Sequence, residues 1–139
     1  MVVAAADPSA RTVLIVEDAE SCATTLEFAL LGIPRIQVHV APTARQALEM
    51  LAAGAQISAL VTDLNLPSMD GFELIERVRS DTRTAHLPIV VVSGDSDPRT
   101  PERIRRLGAD AYFGKPYSPA LVRQKVEQLL DANSSSHSP

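Results

Sequence analysis

Five short apolar runs, each followed by a helical pattern, leave this sequence very few folds to choose from. The runs are Val13-Leu14-Ile15-Val16, Ile36-Gln37-Val38-His39-Val40, Ala59-Leu60-Val61, Ile89-Val90-Val91-Val92 and Ala111-Tyr112-Phe113. They are short, β-branched and mostly non-alternating, the second being the weakest. Such runs read as strands buried on both faces, the mark of a parallel sheet. Between them, Ala44, Ala47, Leu48 and Leu51 repeat at helical spacing, with Thr43 as N-cap and Gly54 as the stop. Asp70 followed by Glu73 resembles a capping box, with Leu74, Ile75 and Val78 on one face. Thr100-Pro101 and Ser118-Pro119 each set a cap residue before a proline at the first helical position. The first of these helices runs to Gly108, and the second turns Val122, Val126, Leu129 and Leu130 inward. A further helix spans about Glu20 to Leu31. The order is β-α five times over, and right-handed crossovers place helices on both faces of a five-stranded parallel sheet.

A chain of 139 residues, 45% apolar and 22% charged, fits one globular domain. Its formal charge of −4 argues against non-specific binding to nucleic acid or anionic lipid. Cys22 is the one cysteine, so no intrachain disulfide is possible; it reads as a small core residue in a reducing compartment. Val2 to Ala6 superficially resembles a cleavage site, but no basic region or apolar run accompanies it. No stretch approaches the roughly 20 apolar residues of a membrane span, so a cytoplasmic protein is expected. Residues 1–10 read as a flexible segment, 11–131 as the domain and 132–139 as a polar, disordered tail.

The polar residues at the strand ends carry the chemistry. Ligands of an open α/β sheet sit outside the carboxyl ends of its strands. Here the first run ends in Glu17-Asp18, the third in Asp63, the fourth in Ser93-Gly94, and the fifth leads to Lys115-Pro116. Three carboxylates, a hydroxyl and an ammonium would then converge on one edge. The acids would repel one another unless a hard divalent cation such as Mg²⁺, which prefers oxygen ligands, joined them. A metal and one lysine supply the charge neutralisation that phosphoryl transfer needs.

With these residues the chain resembles the receiver domain of response regulators in two-component signalling, of the stand-alone chemotaxis type. The resemblance rests on Val13 to Asp18, Asp63 to Gly71, Val92-Ser93-Gly94 and Lys115-Pro116, and covers about residues 11–131. It implies a flavodoxin-like fold with strand order 2-1-3-4-5. It implies Asp63 as phosphoacceptor, Asp18, Asp63 and the Asn65 backbone carbonyl as Mg²⁺ ligands, and Glu17 as an outer acidic partner. Ser93 would donate to a phosphoryl oxygen, Lys115 would neutralise the phosphate, and Tyr112 would be the switch aromatic. Lys115-Pro116 is expected to be cis, and Asn65 and Asp95 are expected to gate water, giving a short-lived phosphoryl group. The partners implied are a histidine kinase or histidine phosphotransfer protein, and an effector reading the face of the fourth helix, fifth strand and fifth helix. No nucleic acid and no membrane are implied as direct partners. Catalysis is implied only of its own phosphorylation and dephosphorylation. Glu17 and Ser93 stand where many members have Asp and Thr.

Each residue also has a plainer reading: Glu17 and Asp18 as solvated strand-end acids, Asp63 and Ser93 as turn residues, Lys115 as surface, Tyr112 as an ordinary strand residue. Asp70 reads as a helix cap rather than a site residue. Arg99, Arg103, Arg105 and Arg106 mark either a solvated face of the fourth helix or a partner surface. With only 132–139 after the last helix, a stand-alone switch that signals by contact is expected. The alternative is a receiver fragment of a larger transcriptional regulator or hybrid kinase. A haloacid dehalogenase-type phosphatase would need an acid where Asn65 stands. A flavin-binding protein would need a phosphate loop where Glu17-Asp18-Ala19-Glu20 stands. A receiver that binds without phosphorylation is opposed by the intact acceptor, lysine and acidic pair.

Overall fold

The computed structural model describes residues 10–135. Five strands and five helices alternate along it: β1 (Arg11–Val16), α1 (Glu20–Leu30), β2 (Ile36–Ala41), α2 (Ala44–Ala52), β3 (Ala59–Thr62), α3 (Gly71–Ser80), β4 (Ile89–Ser93), α4 (Thr100–Leu107), β5 (Ala111–Gly114) and α5 (Pro119–Ser135). All four strand pairings are parallel, and the sheet order is β2-β1-β3-β4-β5. This is the expected doubly wound architecture.

The pleat sorts each strand's residues between two cores. Leu14, Val16, Leu60, Ile89 and Val91 meet Ala47 and Leu51 of α2, Leu74, Ile75 and Val78 of α3, and Ile104 of α4. Their neighbours Val13, Ile15, Val61, Val90 and Val92 meet Leu26 and Leu30 of α1 and Val122, Val126 and Leu130 of α5. Each fully buried aliphatic side chain contributes about 1.5–3 kcal/mol, so the three central strands anchor the domain. The two edges depart from burial on both faces: β2 alternates and β5 is half-buried, because each has a neighbour on one side only.

Local signals held where the partner lies within three or four residues. Thr43 and Asp70 accept from the N–H groups of Gln46 and Glu73, and Ser118 Oγ from that of Leu121. The capping box at Asp70 is one-sided, since the Glu73 carboxylate pairs with Arg77 instead. Gly54 and Gly108 end α2 and α4 with φ of 92° and 107°. Thr100, in contrast, does not cap α4. It is the helix's first residue, Arg99 holds the cap position, and the Thr100 hydroxyl is drawn to Asp95. Cys22 is half-buried on α1 rather than part of either core.

The flexible segment expected at 1–10 and the tail at 132–139 lie outside the described residues, save Ala10 and residues 132–135. The latter continue α5, which meets no glycine and no proline before Pro139. No helix among the described residues is long and apolar enough to cross a membrane.

Candidate functional site

Sheet register brings the strand-end residues together. The backbone ladder runs on past the strands: Glu17 N–H donates to Ala41 O, Asp63 N–H to Val16 O and Lys115 N–H to Ser93 O. Glu17 and Asp63 also share a pleat parity, following Val13-Ile15 and Ala59-Val61 on the side facing α1 and α5. Both are buried, with 3% and 4% of their surface exposed.

Asp63 is gripped from two sides. Its Oδ1 accepts from the N–H groups of Leu64 (2.6 Å) and Asn65 (3.1 Å). Its Oδ2 accepts from the Lys115 ammonium at 3.0 Å, and the Lys115-Pro116 peptide is cis. The loop behind it is closed by Gly71, whose N–H donates to Leu64 O. A Cβ at Gly71 would overlap the Asp63 carbonyl oxygen and stand 2.7 Å from Leu64 Cα. Buried Thr62 donates its hydroxyl to that same carbonyl at 2.8 Å. Neither Thr62 nor Gly71 stands out in the sequence as a positioning residue, although Gly71 closes the motif that begins at Asp63.

Glu17 lies on the other side of the ammonium. Its Oε2 accepts from Ala19 N–H at 3.1 Å, while Oε1 is buried without a hydrogen-bond partner, 3.6 Å from Lys115 Nζ. Burial pushes the Glu17 carboxyl above its ordinary value; the Ala19 N–H opposes this, and nearby Asp63 adds to it. Burial alone would lower Lys115, but its hydrogen bond and charge contact with Asp63, and Glu17 beyond, hold the ammonium above the usual lysine range. Two buried carboxylates thus share one cation.

Asp18 does not join them. One residue further on, in a bend beyond the end of β1, it is exposed. Among the described residues no three acidic, histidine or cysteine side chains are grouped closely enough to hold a metal ion, and the buried carboxylates are those of Glu17 and Asp63. The pair still suits a hard cation. It offers only oxygen donors, it carries more negative than positive charge, and the Glu17 Oε1 atom accepts no hydrogen bond.

Ser93 and Tyr112 belong to the other face of the sheet, the one covered by α4. Ser93 is buried, and its Oγ accepts from Asp95 N–H at 3.0 Å. The Tyr112 hydroxyl donates to Asp95 O at 3.3 Å. Gly94 is open: a Cβ there would meet only Lys115 Cδ, at 3.8 Å. The four arginines of the α4 region do not form one patch. Arg99 pairs with Asp97, Arg105 and Arg106 both pair with Glu102, and Arg103 stacks 3.8 Å over the Phe72 ring of α3. Arg103 is thereby turned to α3 and away from β5, because an aromatic face lies within its reach.

A groove of about 880 Å³ opens at the opposite, amino end of the strands. Its arginines, Arg11 and Arg83, are paired with Asp131 and Asp81, and it lies away from the acidic pair.

Known proteins resemble this chain in sequence and fold. The response regulator receiver domain family matches residues 13–127. Chemotaxis protein CheY1 of Helicobacter pylori is 29% identical over 120 residues, covering 86% of this chain and 97% of that protein. A CheY-like receiver domain protein from Methanospirillum hungatei superposes with a TM-score of 0.82 at 25% identity, over 92% of this chain and 99% of the other. The receiver domain of a signal transduction histidine kinase from Syntrophus aciditrophicus gives 0.83 at 26% identity, over 94% and 97%. A doubly wound sheet, an acid–lysine pair at its carboxyl edge and a family match over most of the chain lead to one conclusion: this protein belongs to the response regulator receiver domain family.

Proposed function

We propose that the chain is a phosphoacceptor switch in which Asp63 takes a phosphoryl group from a histidine donor. Receiver domains are regulatory domains, generally depend on Mg²⁺, and interact with histidine kinases and downstream effectors. The observation that carries the reading is the Lys115 ammonium 3.0 Å from a buried Asp63 carboxylate. Oδ1 is fixed by two backbone donors, so the acceptor is aimed before any donor arrives. In transfer, an Asp63 oxygen forms the new O–P bond as the P–N bond to the donor imidazole breaks. The electron pair of that bond leaves on the imidazole nitrogen, which takes a proton from solvent. Lys115 balances the charge of the equatorial oxygens, and Ser93 donates its hydroxyl to one of them.

Asp63 and the Asn65 carbonyl would hold Mg²⁺ together with Asp18, which would have to turn in from its exposed position, with Glu17 as outer partner; when bound the ion neutralises charge on acceptor and phosphoryl group. Output is read on the surface of α4, β5 and α5, with Tyr112 as the movable aromatic. On that face Arg106 remains a candidate contact, whereas Arg103 is engaged with Phe72.

Incubation with Mg²⁺ and phosphoramidate should add one phosphoryl group by mass spectrometry, and Asp63→Asn should add none. Labelling that persists in Asp63→Asn, or that proceeds equally well in EDTA, would overturn the assignment.

A further inference from the structure

The peptide that joins Asp63 to Leu64 is held at both ends. On one side its N–H, that of Leu64, donates to Asp63 Oδ1 at 2.6 Å. On the other its carbonyl, that of Asp63, accepts from the Thr62 hydroxyl at 2.8 Å. A trans peptide is planar, with C=O and N–H pointing in opposite directions, so neither end turns without the other. Fixing the carbonyl therefore fixes the direction from which the Leu64 N–H meets the carboxylate.

The hydroxyl is costly where it stands. Thr62 is fully buried, and it shares a strand face with Leu60, on the side where Leu64, Leu74 and Ile75 pack. Its ladder partners on β1 and β4 are Val16 and Val91. A valine of nearly the same shape would fill position 62 without burying a polar group. Among the described residues no backbone N–H donates to the Asp63 carbonyl, which leaves that role to Thr62. Gly71 enforces the same orientation from outside, since a Cβ there would overlap the same oxygen.

We propose that Thr62 is a positioning residue for the acceptor: its hydroxyl sets the Asp63–Leu64 peptide plane, and that plane aims the Asp63 carboxylate. With Oδ1 fixed by the Leu64 N–H, Oδ2 is left turned toward Lys115. The inference rests on Asp63 being the phosphoacceptor. Thr62 touches no substrate and acts through one rigid peptide. A hydroxyl that merely satisfied a buried carbonyl would stabilise the fold and leave the transfer rate alone. The two roles therefore separate in kinetics and at the Leu64 amide.

The test uses the whole chain with Mg²⁺ and phosphoramidate, well below the melting temperature of each variant. The labelling rate is followed by mass spectrometry and the Leu64 amide by NMR. Thr62→Val swaps the hydroxyl for a methyl of similar size, and Thr62→Ser keeps the donor. Thr62→Val is expected to label roughly tenfold more slowly, short of the roughly hundredfold loss that a full ångström of misplacement brings. Its Leu64 amide proton should move upfield as the short bond to Oδ1 lengthens, and Thr62→Ser should restore both readings. Labelling by Thr62→Val at the parent's rate, whatever its melting temperature, would overturn the proposal. So would slow labelling with the Leu64 resonance unmoved, or a Thr62→Ser no faster than Thr62→Val. Should Thr62→Val fail to fold, Thr62→Ser and Thr62→Ala both lack the methyl and differ only in the hydroxyl. Equal rates in that pair would overturn the proposal, and a slower Thr62→Ala would support it. Labelling of the parent that Asp63→Asn abolishes keeps the acceptor reading standing in every one of these cases. If the parent takes no label, both readings fall.

Discussion

The two loops that flank the candidate site are built on opposite principles. The β3–α3 loop, which carries Asp63, is fixed by packing and backbone: Leu64 and Leu66 are buried, and Gly71 is pressed against the acceptor's own carbonyl. The β4–α4 loop has no buried residue from Gly94 to Arg99 and is held by polar bonds centred on Asp95. Packed backbone in a dense interior has few alternative arrangements. A loop secured by a few part-exposed hydrogen bonds opens at much lower free energy. The difference matches the two duties: a nucleophile must be aimed before its substrate arrives, whereas a signal requires a segment that can be rearranged by about the energy of a bound phosphate.

The sharpest way to break the contrast is Gly71→Ala. Its methyl would overlap backbone that cannot yield cheaply, so a loss of about 3 kcal/mol and a melting temperature lower by roughly 10 °C are expected, with phosphoramidate labelling largely lost. Thermal denaturation checks this, and a shift of only a degree or two would mean the acceptor loop is as pliable as its neighbour. Metal addition comes next. At about 100 times its dissociation constant, Mg²⁺ should stabilise the parent by about 2.7 kcal/mol, and Asp18→Asn should lose most of that gain in the same melting experiment.

Glu17→Gln probes the buried oxygen that accepts no hydrogen bond. Without metal it should raise stability by about 1 kcal/mol, while weakening the response to Mg²⁺. The sign follows from the direction of the Glu17 shift. A carboxyl raised by burial destabilises the fold when ionised, so the penalty is absent below the ordinary glutamate range. It grows as pH rises from that range through the raised value. The variant's advantage should therefore vanish in acid and be complete at alkaline pH; an advantage that grew in acid would show the wrong group had been changed. The smallest effect is expected from Tyr112→Phe, which removes the bond to Asp95 O at a cost of about 0.5–1 kcal/mol. Amide exchange should quicken across residues 94–99 and stay unchanged across 63–71; equal acceleration in both would dissolve the distinction between the loops.

Much of this is legible in the sequence, and the features that are not share a cause. Thr43, Asp70 and Ser118 were readable as caps because donor and acceptor lie three residues apart on one short segment. Thr100 carries the same local signal and behaves otherwise, since Asp95 offers its hydroxyl a competing acceptor. The arginines near α4 suggest a common surface in one dimension, yet Phe72 and Glu102 divide them. Asp18 and Glu17 are adjacent in sequence and part ways in space, one to solvent and one to the interior.

By itself the sequence determined the β-α alternation, the burial of the central strands and the identity of the polar groups at the carboxyl edge. Period-two and period-3.6 patterns and short-range caps act over a few residues, so these features need no knowledge of distant contacts. Tertiary structure alone decided which of those polar groups meet. Glu17, Asp63 and Lys115 come from strands 46 and 52 residues apart, and their contact depends on the register of β1, β3, β4 and β5 and on which side of the pleat each side chain leaves. It also decided that Gly71 would stand against the Asp63 carbonyl and that Thr100 would serve the loop before its helix. Both follow from chain segments brought together by packing, beyond the reach of any rule confined to neighbouring residues.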